Sequence, residues 1–259
     1  MLTYKTTRIS FFLSFVTLAV LYEFNLINWY FLLIPVFLYI GLISYGSSII
    51  SSNFYLNSIC FIPTSEKVFY LTFDDGPDSN TEEILALLNK NNIKATFFVI
   101  GKKITKNEMI LNRMKEEGHI IANHSFSHSY FFDFFSTKKV IADLEQTNIL
   151  IKKITGLTPR LFRPPYGVTN PNIANALTKL GLASIGWNIR SLDTVIKDKE
   201  KLNKRILKRI KPGSILLLHD TGNNVIEILK EVIQFADKNG YKIACLKDKL
   251  PTNVYEEVN

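Results

Sequence analysis

The chain has 259 residues and a formal net charge of +8 at pH 7. No nucleic-acid recognition motif accompanies the charge, so a nucleic-acid partner gains no support, and two cysteines are too few for a disulfide framework. Much of the positive excess lies in residues 197–211, where Leu202, Ile206 and Ile210 form an apolar face at a spacing of four. That pattern is typical of a solvated amphipathic helix; a contact with acidic lipid or an anionic polymer is the alternative.

The first 45 residues contain two apolar runs, residues 9–22 and residues 26–45, with Glu23 and Asn25 between them. At about 1.5 Å per residue the second run is long enough to cross a bilayer core of about 30 Å, whereas the first is marginal. We expect residues 1–45 to be a membrane anchor of one or two apolar helices. A signal peptide and a buried helix pair are the alternatives.

The side of the membrane depends on how many runs cross it. Lys5 and Arg8 precede the first run, so the positive-inside rule keeps the amino terminus in the cytoplasm. If both runs cross, the rest of the chain returns to the cytoplasm, and if only one crosses, it faces outward.

Residues 46–66 are expected to be a linker and residues 67–259 a single catalytic domain. Strand-like and helix-like segments alternate through that domain, which indicates an α/β class with a parallel sheet. The candidate strands are residues 67–73, 94–100, 119–123, 161–163, 183–189, 214–218 and 241–245, and the candidate helices are residues 81–91, 107–117, 137–154, 172–180, 199–211 and 224–239.

Two adjacent carboxylates, Asp74 and Asp75, follow the first of these strands in the segment Thr-Phe-Asp-Asp-Gly-Pro. The carboxyl edge of a parallel sheet is where loops build active sites. Neighbouring side chains of an extended strand point in opposite directions, so both carboxylates can face one site only on a bend, which Gly76 would permit. A plain turn without a functional role is the alternative.

His124 and His128 lie four residues apart, which would place them on one face of a helical turn. This spacing suits a single metal ion, and a carboxylate from Asp74 or Asp75 would complete an Asp/His/His site with open positions for water. Incidental surface or core histidines are the alternative.

Two more polar segments follow. Arg163, Pro164, Pro165, Tyr166 and Gly167 form one of them, and the other is His-Asp at the end of the apolar strand at residues 214–218. The histidine of that pair falls at the carboxyl edge of the sheet, although a structural histidine would also explain it.

Taken together and in this order, these four motifs resemble the polysaccharide deacetylases that share the nodulation-protein deacetylase domain, also called carbohydrate esterase family four. The resemblance runs from about residue 67 to about residue 250. It implies a distorted (β/α) barrel with seven strands, a number that equals our count of candidate strands.

The resemblance also implies a role for each motif residue. Asp75, His124 and His128 would hold a divalent metal, most often zinc, with cobalt, nickel or iron possible. Asp74 would be the general base that activates water, and Arg163 would position it.

The remaining roles concern the leaving group and the acetyl group. His219 would be the general acid that protonates the leaving amine, and Asp193 would orient and tune it. The backbone N–H of Tyr166 would help to hold the oxyanion on a loop stiffened by Pro165, and Leu217 would line the acetyl pocket.

One departure from the family pattern affects the groove. The tuning aspartate is usually followed by an aromatic residue, but here Thr194 follows Asp193. Trp187 could take over part of that wall, although we expect it to be a buried strand aromatic.

These observations predict a membrane-anchored, metal-dependent hydrolase that removes N-acetyl groups from an N-acetylglucosamine-containing glycan, peptidoglycan first or a chitin-like polymer. Its partners would be the glycan and membrane lipid, and the sequence leaves its oligomeric state open. A cell-wall substrate favours an outward-facing domain. The alternatives are a deacylase or deformylase of a lipid-linked amino sugar and an inactive carbohydrate-binding homologue.

Overall fold

The computed structural model describes residues 3–247, 250 and 253–256. Within them the chain forms a parallel sheet whose strands lie in the order β1-β6-β5-β4-β3-β2-β8-β7, with β9 also paired to β2. The central strand β2 is buried on both faces, which explains why its first four residues, Val68 to Leu71, are all apolar or aromatic. The strands are β1 Ser58–Ile59, β2 Val68–Gly76, β3 Thr96–Val99, β4 Ile120–Asn123, β5 Leu161–Phe162, β6 Ala183–Ile185, β7 Ile189–Arg190, β8 Ile215–His219 and β9 Lys242–Ala244.

From α3 onward, helices lie between the strands along the chain and bury their apolar faces in the core beside the sheet. Ser136 caps the amino end of helix α6, where its side chain accepts a hydrogen bond from the Lys139 N–H, and the left-handed Gly156 caps the carboxyl end. The helices are α1 Tyr4–Glu23, α2 Leu33–Ser48, α3 Thr81–Lys90, α4 Gly101–Ile104, α5 Glu108–Glu116, α6 Thr137–Thr155, α7 Pro171–Leu180, α8 Lys199–Leu207 and α9 Val225–Asn239.

The predicted α/β class is confirmed, but the strand count differs from seven. Residues 183–189 form two short strands because the chain leaves the ladder after Ile185, and the Asn188 side chain there accepts a hydrogen bond from the Ile215 N–H at 2.8 Å. Within residues 46–66, β1 forms and pairs with β6. In the described order β1 and β7 are the two ends of the sheet, so the fold is a curled half-barrel rather than a closed one.

The two amino-terminal helices form an antiparallel pair. The Phe11 ring of α1 stacks on Tyr39 of α2, with ring centroids 4.5 Å apart, and the Tyr4 N–H donates to the carbonyl of Phe54, which follows α2. Of the described residues, one stretch, Trp29–Ser48, is long and apolar enough to cross a membrane. Its side chains are mostly exposed, so the rest of the protein does not bury it.

Candidate active site

The turn at the end of β2 turns both of its carboxylates into one cavity of about 450 Å³. The register with β3 shifts between Asp74 and Gly76, and Asp75 adopts a left-handed backbone conformation with φ 70°. The bend that we expected Gly76 to permit therefore lies at Asp75 itself. Glycine is needed next to it for another reason, because a Cβ at Gly76 would collide with the Asp220 carboxylate.

His124 and His128 meet on an irregular loop and not on the helical turn that their spacing predicted. Ser125 and His128 both have left-handed backbones, with φ 65° and 43°, and the loop folds back so that the two imidazole centroids lie 4.9 Å apart. The Ser125 hydroxyl accepts a hydrogen bond from the His128 N–H at 3.0 Å and holds this conformation.

Asp75, His124 and His128 offer three ligand atoms that all lie within 4.8 Å of one another. The His124 and His128 Nε2 atoms lie 3.5 and 3.2 Å from Asp75 Oδ1, a buried oxygen that has no hydrogen-bond partner among the described residues. His124 Nδ1 lies 2.8 Å from the Arg163 carbonyl, which fixes the proton there and leaves Nε2 free as a ligand. A buried carboxylate oxygen facing two imidazole nitrogens fits a divalent cation.

The charges of Asp75 and His128 suit the same purpose. Burial alone would raise the pKa of Asp75, but the adjacent imidazoles of His124 and His128 lower it below its ordinary value. Burial and the neighbouring His124 lower the pKa of His128 to about 4. At neutral pH the site therefore presents a carboxylate and a neutral imidazole, the forms that bind metals.

Arg163 is fully buried and fixes Asp74 in place. Its Nη1 donates to Asp74 Oδ1 at 2.7 Å and to the Thr72 hydroxyl at 2.8 Å, and its other nitrogens donate to the carbonyls of Ile185 and Gly186. Since Oδ1 is engaged by the guanidinium, Oδ2 is the oxygen of Asp74 that lies nearer the metal-ligand set, 3.8 Å from His124 Nε2.

Asp193 binds His219 at two points. Its Oδ1 lies 2.7 Å from His219 Nδ1, and its Oδ2 accepts the His219 backbone N–H at 2.8 Å. Burial alone would lower the pKa of His219, but the hydrogen bond and charge of Asp193 raise it to about 9. The imidazolium is thus the favoured form at neutral pH, and Nε2 is the nitrogen left to serve a substrate.

The acetyl-pocket and oxyanion candidates also lie at this cavity, with one exception. Tyr166, with φ 59°, and Leu217 line it, but the proline that lines it is Pro164, whereas Pro165 is buried and does not line it. Lys102 and Tyr130 line it as well and were not expected, because nothing in the sequence links them to the motifs.

Comparison with known proteins agrees with this geometry. The family model described as polysaccharide deacetylase matches residues 62–185. Over 193 residues the chain is 34% identical to the peptidoglycan-N-acetylmuramic acid deacetylase PdaA of Bacillus subtilis, which covers 71% of this chain and 72% of that protein. The chain belongs to the polysaccharide deacetylase family. It is a hydrolase of the kind that removes N-acetyl groups from glycans.

Solved structures of family members share the fold of this chain. The peptidoglycan N-acetylglucosamine deacetylase Bc1960 superimposes with a TM-score of 0.72 at 26% identity, over 77% of this chain and 95% of its own. A mutant of BA3943, a family pseudoenzyme with restored activity, superimposes with a TM-score of 0.68 at 26% identity, over 74% of this chain and 71% of its own.

The altered wall of this deacetylase cavity is where our expectation for Trp187 was wrong. Trp187 lies between β6 and β7 and not in a strand, is only half-buried, and lines the cavity together with Thr194. Its ring also fills the space beside Gly167, where a Cβ would collide with it. An aromatic side chain is therefore present in the wall even though Thr194 replaces the usual one.

Proposed function

We propose that this deacetylase removes N-acetyl groups from an N-acetylglucosamine-containing glycan, peptidoglycan first, with a divalent metal held by Asp75, His124 and His128. The observation that carries the proposal is the convergence, in one cavity, of that ligand set, a fixed carboxylate at Asp74 and a protonated imidazole at His219. Zinc suits the ligand set best, and cobalt, nickel or iron would also fit it.

When bound, the metal ion supplies Lewis acidity, which lowers the pKa of water and polarises a carbonyl oxygen. Asp74 accepts the proton of the attacking water on Oδ2, because Arg163 occupies Oδ1 and prevents the carboxylate from rotating. The backbone N–H of Tyr166 donates to the oxyanion that forms on the acetyl carbonyl, and Leu217 contacts the acetyl methyl group.

His219 then donates its Nε2 proton to the nitrogen of the sugar as the C–N bond breaks, so that the products are acetate and a free amine. Asp193 stabilises the imidazolium until that step, in the way that a buried carboxylate supports a catalytic histidine elsewhere. This division of roles keeps the base and the acid on different strands, β2 and β8, which pair side by side at Asp74 and His219.

We further propose that the amino-terminal helices anchor the deacetylase in a membrane. Helix α1 and the stretch Trp29–Ser48 are each about 30 Å long at 1.5 Å per residue, which suits a bilayer core. Because the pair is antiparallel, a crossing by both helices puts the amino terminus and the catalytic domain on the same side.

That topology gives the second candidate function its support. If Lys5 and Arg8 stay in the cytoplasm, the domain also lies there, and a deacylase or deformylase of a lipid-linked amino sugar becomes the better description. A cell-wall substrate instead requires the domain outside. The third candidate, an inactive carbohydrate-binding homologue, has no use for a base and an acid that lie side by side at the cavity with the metal-ligand residues.

The test is acetate release by the full chain in detergent from an N-acetylglucosamine oligomer and from peptidoglycan, with zinc supplied. We expect acetate from at least one substrate, and none from the Asp74→Asn chain. Asp198→Asn is the matched control, since Asp198 caps α8 away from the ligand set and asparagine caps a helix equally well. Release of another acyl group from lipid-linked sugars alone would favour the second candidate.

A further inference from the structure

The segment between His128 and α6 exposes aromatic side chains to solvent. Tyr130, Phe131 and Phe134 are 84%, 70% and 82% exposed, values that large apolar side chains of a soluble surface rarely reach together. We call these three residues the aromatic tip. Phe132 and Phe135 of the same segment are buried in the core, so the tip is held on a fixed base.

The backbone explains how the two phenylalanine pairs separate. Phe132–Phe134 forms a 3₁₀ helix, in which side chains three residues apart share a face. Phe131 and Phe134 are therefore displayed on one side, and Phe132 and Phe135 are buried on the other. Two of the four phenylalanines of this segment therefore fix it to the core, and the other two form an exposed surface.

The aromatic tip lies close to where the amino-terminal helices join the domain. Ser47, at the end of α2, accepts a hydrogen bond from the Thr169 N–H at 3.1 Å, and the Gly46 carbonyl accepts one from the Thr169 hydroxyl at 3.3 Å. The next residue, Asn170, donates through its side chain to the Asp133 carbonyl at 2.6 Å. Two consecutive residues thus connect the membrane end of the chain to the tip.

The join lies at the same edge of the sheet as the active site. Thr169 follows β5 and the loop that carries Tyr166, and Ile50 packs against Gly186, which follows β6. Tyr130 of the aromatic tip stacks on Tyr166, with ring centroids 5.9 Å apart and planes at 11°. The cavity mouth, the tip and the end of α2 are therefore neighbours at the carboxyl edge.

We propose that the aromatic tip inserts into the headgroup layer of the bilayer that holds the amino-terminal helices, so that the cavity opens at the membrane surface. The stretch Trp29–Ser48 uses its whole length to cross the apolar core, so Ser47 lies at the interface and the tip lies beside it. Aromatic side chains concentrate at that depth.

The charges next to the aromatic tip suit an anionic lipid surface. Lys138 and Lys139 are exposed at the start of α6, close in sequence to Phe134 of the tip, and the Lys139 ammonium lies 3.6 Å from the centroid of the buried Phe135 ring beneath the tip. Cations beside inserted aromatics are the usual pattern of interfacial contacts. The inference rests on the membrane anchoring of the proposed function, and it limits the substrate to glycan that is close to the bilayer or attached to it.

The experiment places a tryptophan on the tip of the full chain, reconstituted in phosphatidylcholine and phosphatidylglycerol vesicles. Phe134→Trp is compared with Ile149→Trp, both in a chain in which Trp29 and Trp187 are replaced by Phe, so that the added tryptophan is the only one. Ile149 is 65% exposed on α6, toward the opposite edge of the sheet, and is the matched control. Acyl chains brominated near the headgroup quench tryptophans at that depth.

We expect the Phe134→Trp chain to show blue-shifted emission and to lose most of its added fluorescence in brominated vesicles, and the Ile149→Trp chain to show neither change. The chain that retains Trp29 reports the helices separately. If Trp29 is quenched but the Phe134→Trp signal is not, the inference is wrong. If the emission of the Phe134→Trp chain then changes when N-acetylglucosamine oligomers are added, the tip is a glycan-binding surface instead. If Trp29 itself is not quenched, the membrane anchoring fails and the inference with it, whereas acetate release still judges the enzymatic proposal alone.

Discussion

The pair of Asp193 and His219 offers the sharpest quantitative prediction. Asp193 raises the pKa of His219 to about 9 against a burial that would lower it. In the Asp193→Asn chain the amide keeps the size of the carboxylate but carries no charge, and its N–H₂ group would face Nδ1. We expect the pKa of His219 to fall to its ordinary value of about 6.5 or lower.

The size of the effect follows from the protonated fraction of His219. At pH 8 a group with a pKa of about 9 is roughly 90% protonated, and one with a pKa of about 6.5 is roughly 3% protonated, so the general acid becomes about 30-fold scarcer. At pH 6 both forms are largely protonated, so the charge effect nearly disappears. A larger loss that is independent of pH would report the wrong tautomer.

The assay is the pH dependence of kcat/KM for acetate release, from pH 5 to pH 10, with metal supplied in excess. The unmodified chain should keep its activity up to about pH 9, and the Asp193→Asn chain should lose it above about pH 6.5. A basic limb at the same pH in both chains would refute the assignment of His219 as an acid tuned by Asp193.

Three further predictions concern the groups beneath the site. Burial raises the pKa of Asp220 to about 7, so the Asp220 carboxyl should contribute a fall in the stability of the metal-stripped protein as pH rises from about 4 to about 7, of up to about 4 kcal/mol. Asp220→Asn should abolish that fall, and parallel unfolding free energies of the two chains in urea at pH 4 and pH 8 would contradict it. Gly76→Ala should destabilise the fold by about 1–3 kcal/mol in the same assay, since its Cβ would overlap the Asp220 carboxylate, and unchanged stability would show that the turn relaxes. Arg163→Met should cost about 3–5 kcal/mol because it leaves Asp74 buried without its cation, whereas the exposed Arg190→Met should cost little, and equal losses would be the contrary result.

Most of the sheet could be predicted from the sequence because its longer strands contain buried apolar runs. Each of the seven candidate segments contains a strand, and residues 183–189 contain two, since residues such as those of β2 have no competing periodicity. Strand β1 was missed because two residues show no period, and the break after Ile185 was missed because apolar residues continue across it.

The conformation of the site could not be read in the same way. Asp75, Ser125 and His128 have left-handed backbone conformations. Residues other than glycine adopt this conformation only where the surrounding contacts hold them in it. The spacing of four between the two histidines predicted a helical turn. In the structure an irregular loop with left-handed residues brings them together instead. The aromatic tip could not be predicted for a related reason. The composition of residues 130–135 does not tell which of their phenylalanines are buried and which are exposed.

The most direct test of the central claim is a metal titration. The full chain is stripped of metal, and acetate release from the substrate is followed as zinc is added in fractions of an equivalent. We predict that activity rises in proportion to the added zinc and stops rising at about one equivalent. The Asp75→Asn chain should show no activity at any zinc level. Acetate release that survives stripping, or that the Asp75→Asn chain shows with the same stoichiometry, would contradict the assignment of Asp75, His124 and His128 as the catalytic metal site.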